Sequence, residues 1–200
     1  MSTAQIERER FLGGFSDPVM DGQRAFRTVL NAMSQPGRIF RLELELEVPA
    51  PLHHAAAAVA LSLFDFETPV WADLPADSEA IQWLRFHCGC PLVQDLASGT
   101  FGLITMGRSM PGIDQFHPGL DEFPGTSATL IIQVASLASG HGRRLTGPGI
   151  EKEQYLDVLG LPEDFWAAWK VNRSLYPLGV DLILTAGQEL AALPRTTRAE

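Results

Sequence analysis

The sequence predicts an α/β fold: a single three-layer domain with one mixed sheet covered on both faces. Three observations carry this. First, residues 128–137 form a dense apolar run rich in β-branched side chains, interrupted only by Thr129, Gln133 and Ser136. Pro124-Gly125 precedes the run and Ser139-Gly140 follows it, so it has the length and flanks of a strand buried on both faces at the centre of a sheet. Second, the end of the chain, PLGVDLILTAGQELAALPRTTR, reads as a hairpin, with strands over 180–185 and 189–193 and a turn at Ala186-Gly187. Third, helical and strand periodicities alternate through the rest, the pattern of an α/β domain.

Each element has its own signal. Residues 1–16 are polar and then Gly-rich, and are expected to form a flexible N-terminal arm; residues 17–200 form the domain. Asp17-Pro18 starts a helix, Asp as N-cap and Pro in the first helical position. Phe26, Val29, Leu30 and Met33 are its expected core stripe, and Pro36-Gly37 ends it. From Phe40 to Val48 apolar residues alternate with Arg41, Glu43, Glu45 and Glu47, which predicts a strand with one charged, wet face. Residues 53–64 are Ala- and Leu-rich and helical all round, so this helix should be buried. Residues 69–71 look like a short strand. Ser78 caps a helix running to about His87, Gly89 stops it, and Pro91 prevents continuation. Residues 101–105 form another strand, and 107–124 a long loop of the kind that often carries function. After the central strand, Ser-Gly-His-Gly is expected to turn the chain so that residues 143–146 pair back against it. Pro162-Glu163-Asp164 starts a last helix with Phe165, Ala168 and Trp169 on its inner side.

Composition narrows the function classes. The chain has 200 residues, a net charge of −9 and 46% hydrophobic residues. That balance fits one packed domain and argues against a general nucleic-acid binder, which needs a basic face. No run is long enough to span a membrane, and no secretory signal is evident. Two cysteines, Cys88 and Cys90, cannot make a disulfide framework. The expectation is a cytoplasmic protein with no nucleic-acid or membrane partner.

Standard nucleotide loops, HExxH and GxSxG are absent. His87-Cys88-Gly89-Cys90 has metal-ligand residue types but no second pair to close a four-ligand site, so packing is the preferred reading and no metal is expected. His53-His54 reads as a helix start. Asp114, His117, Asp121 and Glu122 in the long loop read as a solvated acidic surface. Arginine is more informative. Arg143 and Arg144 follow the central strand, and Arg195 and Arg198 follow the last one. Guanidinium groups grip phosphate or carboxylate in two-pronged fashion, so these strand ends are candidates for an anion or partner site. Successive side chains on a strand point to opposite faces, so at most one of Arg143 and Arg144 serves such a site.

The segments FRTVLNAMSQPG, LRFHCGCPLV, ATLIIQVASL, RLTGPGI and YPLGVDLILTAGQELAALPRTTR cover nearly the whole chain, and they resemble the PhnH family of the carbon–phosphorus lyase system. Cys88 and Cys90 are not part of that family's pattern. The resemblance implies a fold similar to pyridoxal-phosphate-dependent transferases without the cofactor. The residues agree on the missing cofactor: only Lys152 and Lys170 are available for a Schiff base, and neither has a desolvated setting. The resemblance further implies an accessory, non-catalytic subunit of a core complex with G, I and J subunits. That complex acts where an alkylphosphonate is joined to the ribose of ATP with loss of adenine, before partner subunits break the carbon–phosphorus bond. In isolation the subunit is expected to be a homodimer, with Trp166, off the Phe165/Trp169 stripe, at an interface. Arg85, His87, Arg143, Arg144, Thr146 and Arg195 are the candidate ligand- or partner-binding residues. The alternative is a free-standing α/β anion- or nucleotide-binding protein that uses its strand-end arginines.

Overall fold

A computed structural model describes residues 13–200. The first twelve residues of the predicted arm lie outside the described residues. Of its last four, Phe15 packs against the core and the Ser16 hydroxyl donates to the Glu45 carbonyl at 3.3 Å.

Four helices and nine strands are described: α1 (Pro18–Ser34), β1 (Phe40–Arg41), α2 (His54–Leu63), β2 (Val70–Ala72), α3 (Glu79–Cys88), β3 (Phe101–Ile104), β4 (Thr129–Gln133), β5 (Ser136–Thr146), β6 (Gln154–Leu159), α4 (Phe165–Ser174), β7 (Asp181–Ala186), β8 (Glu189–Leu193) and β9 (Arg198–Ala199). The main sheet has the order β1-β8-β7-β4-β3-β2. β2, β3, β4 and β7 run parallel and β8 opposes them, so the sheet is mixed and β4 is central, as its apolar run predicts.

One sheet was expected and there are two. The second is antiparallel, of order β6-β5-β9. The apolar run divides at Val134-Ala135: the Val134 amide donates to Thr185 of the main sheet and the Ala135 amide to Leu159 of β6. Residues 143–146 therefore do not pair back on β4. They continue β5, and Ser-Gly-His-Gly is a bulge rather than a hairpin turn, because Ser139 and Arg143 both stand opposite Leu156. Gly140 and Gly142, at φ 86° and 88°, supply the left-handed backbone that the bulge needs. β6 had no strand signal because Leu156 is its one fully buried side chain.

The three layers are as follows. α1, α2 and α3 cover one face of the main sheet, against Leu103, Ile131 and Ile183. The small sheet, α4 and the long loop cover the other, against Ile104, Leu130, Ile132 and Leu184. α2 is buried from Ala55 to Ala60 and half-buried over Leu61 to Leu63. α1 begins where predicted, the Asp17 carboxylate taking the Val19 and Met20 amides at 3.1 and 3.0 Å. Its inner face is the predicted one only in part: Val29 and Met33 pack against the core, and Phe26 and Leu30 do not. Asp21, Ala25, Val29 and Ala32 are buried, whereas Phe26 and Leu30 are 51% and 57% exposed. The small side chains face α2 because the buried part of that helix, residues 55–60, is alanine except for Val59, and two such surfaces approach closely. The strand predicted over 40–48 keeps its alternation of burial, with Leu42 and Leu46 inside and Glu43, Glu45 and Glu47 outside. Only Phe40 and Arg41 join the ladder, since their partner β8 starts at Glu189, opposite Arg41. Ser78 and Gly89 bound α3 as expected, Gly89 with φ 66°.

The β2-to-β3 connection crosses the helical face through α3, whereas β3-to-β4 crosses the other face through the long loop. Both step the same way along the sheet, so the two crossovers have opposite hands, a departure from the usual right-handed rule. Loops leaving the carboxyl ends of neighbouring parallel strands thus diverge to opposite faces, and a crevice opens at that edge.

Candidate functional site

The crevice at the carboxyl edge is a cleft of about 410 Å³ lined by His53, Thr105, Arg108, Gln133, Leu159 and neighbouring residues. Its polar floor is built from strand ends. Asp73, just past β2, accepts the Thr105 amide at 2.9 and 2.8 Å, the Thr105 hydroxyl at 2.9 Å and the Met106 amide at 3.1 Å. Gln133, the last residue of β4, is only 3% exposed. Its amide donates to the carbonyls of Pro51 and Thr105 at 3.0 and 3.3 Å, and its carbonyl accepts the His53 amide at 2.5 Å. One side chain therefore joins β4, the end of β3 and the start of α2. An amide is suited to this, since it donates and accepts at once.

His53 precedes α2, and its Nδ1 accepts the Gly187 amide at 3.4 Å. Burial, with His54 beside it, holds its pKa below the ordinary histidine value, so the ring is neutral at physiological pH. Arg108 is exposed at the rim. The Thr105 hydroxyl proton is engaged by Asp73, so the floor reads as a brace with an open cationic rim. Asp73, Thr105, Gln133 and Arg108 were not singled out from sequence. Gln133 was visible only as a polar break in an apolar strand, and its partners lie 28 to 82 residues away.

The six predicted residues do not converge. Arg85 and His87 lie in the last turn of α3, on the helical face; the His87 ring sits 4.8 Å from Trp83 and 5.0 Å from Phe86. Arg143, Arg144 and Thr146 are on β5, over the opposite face. The Arg143 guanidinium lies 5.6 Å from the centre of the Trp166 ring. Trp166 is accordingly half-buried against the core rather than a bare surface indole. Arg144 hydrogen-bonds Glu200, which holds its charge more firmly, and lies 3.7 Å from Glu153. Thr146 stands opposite Arg198 in the β5–β9 pair.

Arg195 is used internally. Its Nε donates to Asp181 at 3.1 Å and its Nη1 to the Pro124 carbonyl at 2.9 Å, while Nη2 reaches Ser127 and the second Asp181 oxygen. It fastens the hairpin end to the loop before β4 and has little left for a ligand.

The cysteines are structural in setting. The Cys88 Sγ–H points to the Ala60 carbonyl at 3.8 Å, and burial pushes its pKa up to about 12; burial raises Cys90 as well. Among the described residues no group of three or more His, Cys, Asp or Glu side chains could hold a metal ion. In the acidic loop, His117 Nδ1 accepts the Gly119 amide at 3.0 Å. No helix among the described residues is long and apolar enough to cross a membrane.

Comparison with known proteins agrees over nearly the whole chain. The family model described as "Bacterial phosphonate metabolism protein (PhnH)" matches residues 13–200. A protein of Rhizobium meliloti (strain 1021), "Alpha-D-ribose 1-methylphosphonate 5-triphosphate synthase subunit PhnH", is 40% identical over 192 residues, 95% of this chain and 96% of the relative. The "Putative C-P lyase subunit protein HtxG" of Stutzerimonas stutzeri is 34% identical over 180 residues, 88% of this chain and 84% of the relative. With a family match over residues 13–200 and a relative 40% identical along almost its whole length, the chain belongs to the PhnH family of bacterial phosphonate metabolism proteins.

Proposed function

We propose that this chain is an accessory subunit of a carbon–phosphorus lyase assembly in phosphonate catabolism. The observation that carries the proposal is the family match together with two relatives that are both named as subunits. The reaction assigned to the assembly is the coupling of an alkylphosphonate to the ribose of a nucleoside triphosphate with loss of the base, which yields a 5-triphosphate like the one in the first relative's name. The geometry of the carboxyl-edge cleft supports a structural part in it. Gln133, buried in its lining, and the half-buried Asp73 behind Thr105 are committed to backbone amides and carbonyls and to the Thr105 hydroxyl, an arrangement that fixes loops rather than moves protons.

The partners proposed are the G, I and J subunits of the core complex, and the compartment is the cytoplasm. Alone, the chain forms a homodimer. The support for a covered surface is the outer stripe of α1, where Val19, Phe26 and Leu30 lie exposed on one side of the helix. Kinship with pyridoxal-phosphate transferases, without the cofactor, is part of the same proposal. Both lysines are solvent-exposed, Lys170 on α4 and Lys152 beyond β5, and neither sits in the dry pocket that a Schiff-base lysine needs.

The test is co-expression of the tagged chain with the other core subunits. A stoichiometric complex that survives size exclusion is expected, and phosphonate-dependent growth should fail without the chain. Growth that does not need the chain, or recovery of the chain without partners, would overturn the proposal.

A further inference from the structure

A second cleft, of about 510 Å³, lies between α4 and β9, with Trp169, Lys170, Arg173, Arg198 and Glu200 in its lining. Three cations meet there in a chain whose net charge is −9. Among the described residues Lys170, Arg173 and Arg198 have no carboxylate within ion-pair distance, whereas Glu200, the cleft's one anion, is taken by Arg144. Trp166, Lys170 and Arg173 follow one another at helical spacing and share a side of α4. The stripe is extended at its start by Arg143, over the Trp166 ring.

Two buried polar atoms beside this cleft have no hydrogen-bond partner: Nε of Arg173 and Oγ1 of Thr197. They are the only such side-chain atoms among the described residues. The Thr197 carbonyl takes the Trp169 indole N–H at 3.1 Å, so both orphans belong to the same corner. An arginine in the last turn of a helix can simply complement the carbonyl end of the dipole. That role does not require its Nε to be buried and unpaired. The Arg173 side chain also lines the cleft, where an oxyanion can meet its guanidinium group.

We infer that the α4–β9 cleft binds a triphosphate chain, free or carried on a nucleoside, with Arg173 and Arg198 as its main contacts and Lys170 at its edge. Guanidinium groups suit phosphate oxygens geometrically and a polyanion electrostatically. The choice of a triphosphate over another polyanion rests on the proposed part in phosphonate coupling; the anion site itself rests on the cleft.

The experiment is calorimetric titration of the full chain with sodium tripolyphosphate, ATP and AMP at low ionic strength. Saturable binding of tripolyphosphate and ATP with similar affinity is expected, with AMP at least about tenfold weaker and all binding reduced by salt. Arg173→Gln/Arg198→Gln should weaken both triphosphates by about tenfold or more. The single surface variant Arg198→Gln should give a smaller loss without a folding question, and Arg38→Gln none. Absence of saturable triphosphate binding overturns the inference, as does binding that the double variant leaves unchanged or AMP binding as tight as ATP. If the double variant instead abolishes co-purification while the parent chain shows no anion binding, the cleft is a protein contact and the inference fails. A chain that binds triphosphate but assembles with no other subunit keeps the site and overturns only the subunit proposal.

Discussion

Arg195 and Asp181 face each other across the base of the β7–β8 hairpin as a two-pronged ion pair, their side chains only 14% and 15% exposed. Removing one member of such a pair strands the other. Arg195→Ala is expected to destabilise the fold by about 3 kcal/mol, read as a lower urea midpoint with an unchanged slope. Arg195→Lys should recover little of this, because an ammonium cannot reach Asp181, Ser127 and Pro124 together. A midpoint within error of the parent would remove Arg195 from its structural role.

Gln133 should be equally intolerant. Gln133→Leu keeps the volume but leaves the His53 amide and the Pro51 carbonyl unmatched in a buried site, at a cost of about 1–3 kcal/mol. Hydrogen exchange at the start of α2 should quicken with it. Unchanged protection there would separate Gln133 from the positioning of α2.

Gly140 and Gly142 share a backbone conformation but not a neighbourhood. A Cβ at Gly140 meets nothing within 4 Å, whereas one at Gly142 would lie 2.5 Å from the Leu156 carbonyl oxygen. Gly140→Ala is expected to cost about 1 kcal/mol from left-handed strain alone, and Gly142→Ala clearly more. Thermal denaturation of the two variants side by side decides this; equal losses would contradict the bulge.

The folded Cys88 thiol has its pKa raised to about 12, above the unfolded value near 8.5. Its contribution to stability is therefore whole below the unfolded value and drains away as pH climbs through the folded one, because the unfolded chain releases the proton first. Alkylation at pH 8 should be slow until denaturant is added. The parent is expected to lose stability between about pH 9 and 12, and Cys88→Ser should flatten that loss. Rapid modification of the native thiol would count against it.

Phe26→Asp places a charge in the exposed stripe of α1. If that stripe is the dimer contact, light scattering should move from twice the chain mass of 21.8 kDa to the single mass, with helix content preserved. A dimer that ignores the substitution lies elsewhere on the surface.

Much of this architecture was legible beforehand, because local chemistry fixes it. Asp17-Pro18, Ser78 and Gly89 set helix ends, and the last hairpin shows in its pattern. What escaped notice depends on distant partners. β6 carries too little buried apolar surface to announce itself, and β5 is wet through its middle, with Leu137 and Leu145 buried near its ends. On α1 the larger apolar stripe outweighed the alanine stripe that packs inside, since periodicity counts hydrophobicity and not the closeness of a neighbour. The carboxyl-edge cleft was invisible for a similar reason: Asp73, Thr105 and Gln133 are ordinary residues until three strand ends bring them together. Of the arginines, residue type alone does not separate Arg195, which is committed to Asp181, Ser127 and Pro124, from Arg173 and Arg198, which have no carboxylate partner among the described residues.

The burial of Ala55 to Ala60 on every side of α2 bears on how this fold can be recombined. The buried run Ala55 to Ala60, in one core with α1 and with Leu103, Ile131 and Ile183, has a sequence matched to its neighbours, because added bulk in a packed core is costly. Exchanging residues 54–63 alone between relatives would import a surface cut for a different mould. Functional chimeras should cluster where α1, α2 and the facing strands β3, β4 and β7 are all inherited from one parent.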